Sequence, residues 1–315
     1  MRLDDLPSSE NVEDRRSQGS GYAPGGFGMP GVRGGLGIGT IVVLGLIGWA
    51  LGIDPRLLIG GAEILSGGGS SYQQPYPGSE RGSPPSSEAA RTGAPSDQMG
   101  RFVALVLGST EVQWKEVFAH SGKTYEPPTL VMFSGATRSA CGSAQSAMGP
   151  FYCPNDRKVY LDTSFFQDLE RRFHACDAAG KTCQFSEAYV IAHEIGHHVQ
   201  NLLGILPKAR QLQQGQDKAQ ANHVQVQIEL QADCLAGVWA YHAEEKWKFM
   251  EAGDVESALK TASAIGDDRL QKQATGYVVP DAFTHGSSQQ RTRWFTTGLK
   301  SGSLASCGTF SAAQL

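Results

Sequence analysis

The chain has 315 residues, 40% of them hydrophobic and 18% charged, with a formal net charge of -4 and a pI near 6.1. No surplus of Lys and Arg exists to neutralise phosphates, which argues against nucleic acid as a main partner. These averages pool two unlike regions: 22 of the 39 glycines and 9 of the 15 prolines lie in residues 1–100, whereas all six cysteines lie after residue 140. The first hundred residues therefore do not read as a globular domain, and about 215 remain to build one core.

In chain order, residues 1–33 mix charge with Gly and Pro and show no period, which predicts a disordered tail. Residues 34–53, GGLGIGTIVVLGLIGWALGI, carry no charge between Arg33 and Asp54 and have the length of a transmembrane helix, with Trp49 as an interfacial anchor. A cleaved signal peptide would place a shorter apolar core close behind a basic start, and here 33 residues come first. Arg15, Arg16 and Arg33 precede the span and only Arg56 closely follows it. The positive-inside rule then predicts a cytoplasmic N-terminus and an extracytoplasmic remainder, periplasmic or at the cell surface. Residues 54–98 read as a Gly/Pro/Ser-rich tether. From residue 99 the pattern is globular: a helix over 99–118, strands over 129–133, 150–153 and 158–162, then helices over 185–203, 222–246, 254–265 and 287–299. Strands early and helices late predict an α+β fold, mainly helical with a small sheet.

Six cysteines in an exported domain predict three disulfides, for which sequence alone leaves fifteen pairings. Local spacing suggests Cys141 with Cys153 and Cys176 with Cys183, leaving Cys234 with Cys307. No CxxC spacing occurs to support a cysteine zinc site.

The chemistry concentrates in AYVIAHEIGHHVQN, residues 188–201, which contains H-E-x-x-H at His193, Glu194 and His197. On a helix, positions i and i+4 share a face, so both imidazoles can be directed at one Zn2+ ion. Glu194 lies about 100° of helix rotation beyond His193 and can reach a water beside the ion without ligating it. Chance alone produces the five-residue pattern in about one chain in a hundred, so a third ligand has to be found. The spacing H-E-x-x-H-x-x-G-x-x-H fails, because position 200 is Gln and position 203 is Leu. A Glu on a later helix, followed one turn on by an acid, fits at Glu229 and Asp233, which sit among apolar residues. Glu229 would be the third ligand, and Asp233 would accept a hydrogen bond from the outer nitrogen of His193. His198 faces away from His197, and His120, His174, His223 and His242 have no evident partner.

Taken together, these segments resemble a known family. Asn-Val-Glu-Asp-Arg-Arg at 11–16, Gly-Pro-Phe-Tyr-Cys-Pro at 149–154, Val-Tyr-Leu-Asp at 159–162, the metal motif, Glu-Leu-Gln-Ala-Asp-Cys at 229–234, Gly-Asp-Asp-Arg at 266–269 and Thr-His-Gly-Ser-Ser-Gln-Gln-Arg at 284–291 are similar to the bacterial neutral zinc metallopeptidases, a membrane-anchored group. The stretch 174–184, with its own two cysteines, departs from that pattern. The resemblance implies a zincin-like peptidase fold that hydrolyses peptide or protein substrates, with His193 and His197 as ligands and Glu194 as catalytic acid and base. It also implies a functional role for His285, the first choice as oxyanion donor ahead of Tyr277, and for Arg291. The competing expectation is a membrane-tethered binding domain that keeps the fold without chemistry; the presence of Glu194 argues against it.

Overall fold

The computed structural model describes residues 1–18, 91–93, 95–145, 149–166 and 183–315. Its strands in chain order are β1 (Val12–Asp14), β2 (Arg91–Thr92), β3 (Thr129–Phe133), β4 (Ala136–Ser139), β5 (Gly142–Gln145), β6 (Phe151–Cys153) and β7 (Lys158–Asp162). Five of them form one sheet in the order β2-β1-β3-β7-β6, while β4 and β5 pair as a separate hairpin. β3 runs parallel to both β1 and β7, and the outer pairs β1/β2 and β6/β7 are antiparallel. The central strands β3 (TLVMF) and β7 (KVYLD) are buried over their last four residues on both faces, which explains their near-continuous apolar runs.

The helices are α1 (Gln98–His120), α2 (Cys183–Leu202), α3 (Ile205–Gln213), α4 (Lys218–Trp247), α5 (Asp254–Ala264), α6 (Asp267–Thr275) and α7 (Ser288–Ser301). Asp97 caps α1 by accepting the Gly100 N–H, Asp217 caps α4 by accepting that of Gln220, and Ser287 with Gln290 forms a capping box on α7. α4 runs through the core, where Leu235, Val238, Trp239 and Ala240 are buried with Phe185, Tyr189 and Phe295. α7 crosses it almost backbone to backbone, since a Cβ on Gly298 would collide with the Cys234 carbonyl. The architecture is thus α+β and mainly helical, as predicted, and every strand and helix predicted from residue 99 onward is present with ends within a few residues.

The disulfides Cys141–Cys153 and Cys234–Cys307 are formed. Cys176, and with it the expected bond to Cys183, lies outside the described residues, as do the predicted membrane span 34–53 and most of the tether 54–98. Among the described residues no helix is long and apolar enough to cross a membrane.

The expected disordered tail needs correction. Residues 1–18 belong to the same compact unit as residues 89–315. β1 lies inside the sheet between β2 and β3, Met1, Leu6 and Val12 are buried, and the Met1 amino group pairs with Asp254. Ser9 and Asn11 both donate to the Glu111 carboxylate of α1, at 2.6 and 2.8 Å. A three-residue strand has no readable period, and its ordering comes from partners more than a hundred residues away.

Candidate metal centre

α2 and α4 meet at their small residues. A Cβ on Gly196 would lie 3.1 Å from the Ala232 carbonyl oxygen, so the two backbones approach closely between His193 and His197 on one helix and Glu229 and Asp233 on the other. The i, i+4 pair of each helix consequently faces the i, i+4 pair of its neighbour. His193, His197 and Glu229 each present a ligand atom within 4.8 Å of one another. The Oε2 of Glu229 lies 3.2 Å from His193 Nε2 and 3.5 Å from His197 Nε2, while its Oε1 accepts from Gln225 at 2.9 Å.

The outer nitrogens of both imidazoles are held. His193 Nδ1 donates to Asp233 at 2.9 Å, as the sequence predicts. Asp233 is fully buried, and it also accepts from Tyr189 at 2.5 Å and from Arg291 Nε and Nη2 at 2.9 Å each. Burial opposes its ionisation, yet the Arg291 charge and the His193 hydrogen bond hold its pKa near 2. Burial likewise opposes protonation of His193, and the hydrogen bond and charge of Asp233 outweigh it, lifting the imidazole to about 10. His197 Nδ1 donates to Gln200 Oε1 at 2.9 Å, a partner that sequence reasoning missed. Tyr189 was missed as well. Both lie on α2, four residues before His193 and three after His197, so helix spacing alone points to them.

This donor set fits a metal ion. With both Nδ1 atoms donating, the Nε2 atoms of His193 and His197 and the Glu229 carboxylate, which those imidazoles hold well below the usual range against the cost of burial, converge on one point, and a metal ion that displaces the imidazole protons there meets three acceptors. Three converging acceptors need a cation, and two imidazoles with one carboxylate suit zinc with a fourth position left open.

Glu194 is 7% exposed beside this group, and among the described residues nothing hydrogen-bonds to its carboxylate. His285 comes from the loop before α7 and its side chain is 52% exposed. The buried Asp267 carboxylate clamps that loop, accepting the backbone N–H of Thr284, His285 and Gly286 at 2.6, 2.6 and 3.1 Å and facing His285 Nδ1 at 3.3 Å. Gly286, at φ +90°, packs against Val226 and Leu230 on either side of Glu229, which sets the loop against the metal helix. Desolvation opposes protonation of His285, but the Asp267 hydrogen bond and the charges of Glu229 and Asp267 raise its pKa. Tyr277 is 63% exposed and shares no hydrogen bond with this group among the described residues. Arg291 enters the site by holding Asp233. His198 is turned away between Tyr152 and the Glu126 carbonyl, with burial lowering its pKa to about 4.

Comparison with known proteins agrees with this geometry. The family described as "Putative neutral zinc metallopeptidase" matches residues 1–310. An Escherichia coli (strain K12) protein, "Uncharacterized protein YpfJ", is 46% identical over 313 residues, covering 98% of this chain and 99% of that one. A Mycobacterium tuberculosis (strain ATCC 25618 / H37Rv) protein, "Uncharacterized protein Rv2575", is 43% identical over 235 residues, covering 71% of this chain and 75% of that one. No solved structure matches. The match from β1 to the turn after α7, together with the convergent His193, His197 and Glu229, makes this chain a member of the neutral zinc metallopeptidase family.

Proposed function

We propose that the chain is a membrane-associated, zinc-dependent peptidase in which Glu194 acts as general base and then general acid. The observation that carries this reading is the convergence of His193, His197 and Glu229 beside an unengaged Glu194 carboxylate. A bound zinc ion supplies a Lewis acid and lowers the pKa of a neighbouring water toward about 7. Glu194 takes the proton of the attacking water and returns it to the amine nitrogen as the C–N bond breaks. His285, whose protonated form Asp267 favours, donates to the oxygen on which negative charge develops. Asp233 and Gln200 keep the outer nitrogens of the two histidines occupied, so that each Nε2 remains an acceptor.

The test uses the full chain: zinc content, and cleavage of a peptide library by wild type and by Glu194→Gln. The variant is expected to keep its zinc and to lose about 10²–10⁴ in kcat. Wild-type cleavage by the variant overturns the role of Glu194, and a zinc-loaded wild type that cleaves no peptide overturns the peptidase reading. Glu229→Ala is expected to lose zinc; full occupancy there would assign the third ligand elsewhere.

Membrane association rests on the uncharged residues 34–53 alone. Both flanks of that segment are rooted in one sheet, which favours a folded unit lying wholly on one face of the membrane. The two disulfides favour the extracytoplasmic face. Tags at each terminus, tested for protease access in intact cells, are expected to respond together; protection of one tag only would restore a single crossing.

A further inference from the structure

His193 and His197 are oriented by different means. Asp233 can only accept, so it fixes the His193 tautomer by itself. Gln200 can turn either end of its amide toward His197, so something else has to fix which end it presents. Two backbone carbonyls do so. Gln200 Nε2 donates to the Ile228 carbonyl at 2.8 Å and to Gln231 Oε1 at 3.0 Å, and Gln231 Nε2 in turn donates to the Cys307 carbonyl at 2.9 Å. Backbone carbonyls never donate, so the whole chain has one permitted polarity. Cys307 O accepts from Gln231, Gln231 accepts from Gln200, and Gln200 accepts from His197 Nδ1. The Nε2 of His197 is thereby the nitrogen turned toward Glu229 and the metal position. Both glutamines are buried, so water does not replace a lost member.

The far end of this relay is tied down covalently. Cys307 lies in a short 3-10 turn joined to α4 through Cys234, one residue beyond Asp233 and three beyond Gln231, and Thr309, which opens the next 3-10 turn, donates to the Gln227 carbonyl at 2.7 Å. We infer that Gln200 and Gln231 are positioning residues that carry the polarity of the Cys307 carbonyl to His197, so that tight metal binding depends on the Cys234–Cys307 staple. The C-terminal turn thus sets the affinity of an ion that it does not touch. This rests on the zinc reading of the site but does not require peptide cleavage.

The test is the zinc dissociation constant of the full chain, measured by chelator competition, with solvent exchange of the His197 Nδ1 proton in the zinc-loaded protein followed by imidazole 15N–1H spectra. Gln200→Met keeps the volume and removes both hydrogen-bonding ends; it is expected to weaken zinc binding by about 10–100-fold and to open the His197 Nδ1 proton to fast exchange. Gln231→Met should weaken binding less, because Ile228 still orients Gln200. Removing the staple with Cys234→Ala and Cys307→Ala is expected to weaken binding in the wild-type background and to add nothing further in the Gln231→Met background. A general loss of stability would instead give additive effects, and additivity overturns the relay. Unchanged affinity and an equally protected Nδ1 proton in Gln200→Met overturn it as well, and denaturation curves on each variant separate loss of fold from loss of metal. A wild-type chain that binds no zinc overturns the metal reading, and the inference with it; a zinc-binding chain with unaffected variants overturns only the inference.

Discussion

Asp267 is the residue whose charge is most directly testable through pH. Its carboxylate, the Glu229 charge and, with opposite sign, Arg291 all act on His285, and the balance raises the imidazole pKa above 6.5. A raised histidine contributes its stabilisation fully below pH 6.5 and loses it as pH rises through the raised value; activity that needs the protonated donor falls over the same range. Asp267→Asn is expected to move the alkaline limb of kcat/KM to lower pH, while rates below pH 6.5 change less. An unmoved limb would remove His285 from the donor role. At this scale the sequence was informative where spacing encodes geometry, as for His193, His197, Glu229 and Asp233. It was silent for Gln231, which meets Gln200 and Cys307 only because three separate segments pack together.

The decisive element contact is the crossing of α2 and α4. Gly196→Ala adds helix propensity worth about 1 kcal/mol, but its Cβ would sit 3.1 Å from the Ala232 carbonyl oxygen and 3.2 Å from the Ala232 Cα, so α4 has to shift by a few tenths of an ångström. The two effects offset in stability and not at the metal. The variant is expected to unfold at nearly the wild-type denaturant concentration while binding zinc about tenfold more weakly, measured by urea titration and chelator competition. If zinc affinity stays at the wild-type value, the crossing is not what sets the ligand geometry. Long helices such as α2 and α4 are legible because helix-forming, largely apolar sequence runs through many turns, and both are buried nearly all round at their middles. α3 buries only Leu206 and Ala209, and α6 only Asp267 and Gln271, so neither carries an apolar period to read.

For the molecule as a whole, the N-terminal eighteen residues are a structural member and not an appendage. Burial of Met1, Leu6 and Val12 alone is worth on the order of 5 kcal/mol, comparable with the net stability of a domain. A chain starting at residue 91 is therefore expected to lack a cooperative unfolding transition, whereas one with residues 22–88 replaced by a flexible Gly/Ser linker should retain both that transition and zinc binding. Asp14 pairs directly with Arg91, so the described chain on the two sides of the replaced stretch already meets on neighbouring strands. Cooperative unfolding of the shorter chain would show that the sheet closes without β1. The composition of the first hundred residues concealed this, because Gly and Pro in the middle of that stretch masked an ordinary strand at its start.

The position of β1 also has a consequence in time. β1 is synthesised first, but its parallel neighbour β3 is made only after the uncharged segment has left the ribosome, roughly ten seconds later at ordinary translation speed. Until β2 emerges the strand has no partner from its own chain, and until β3 emerges it has no parallel one, so whatever holds or delivers the nascent chain can decide whether this sheet is ever completed.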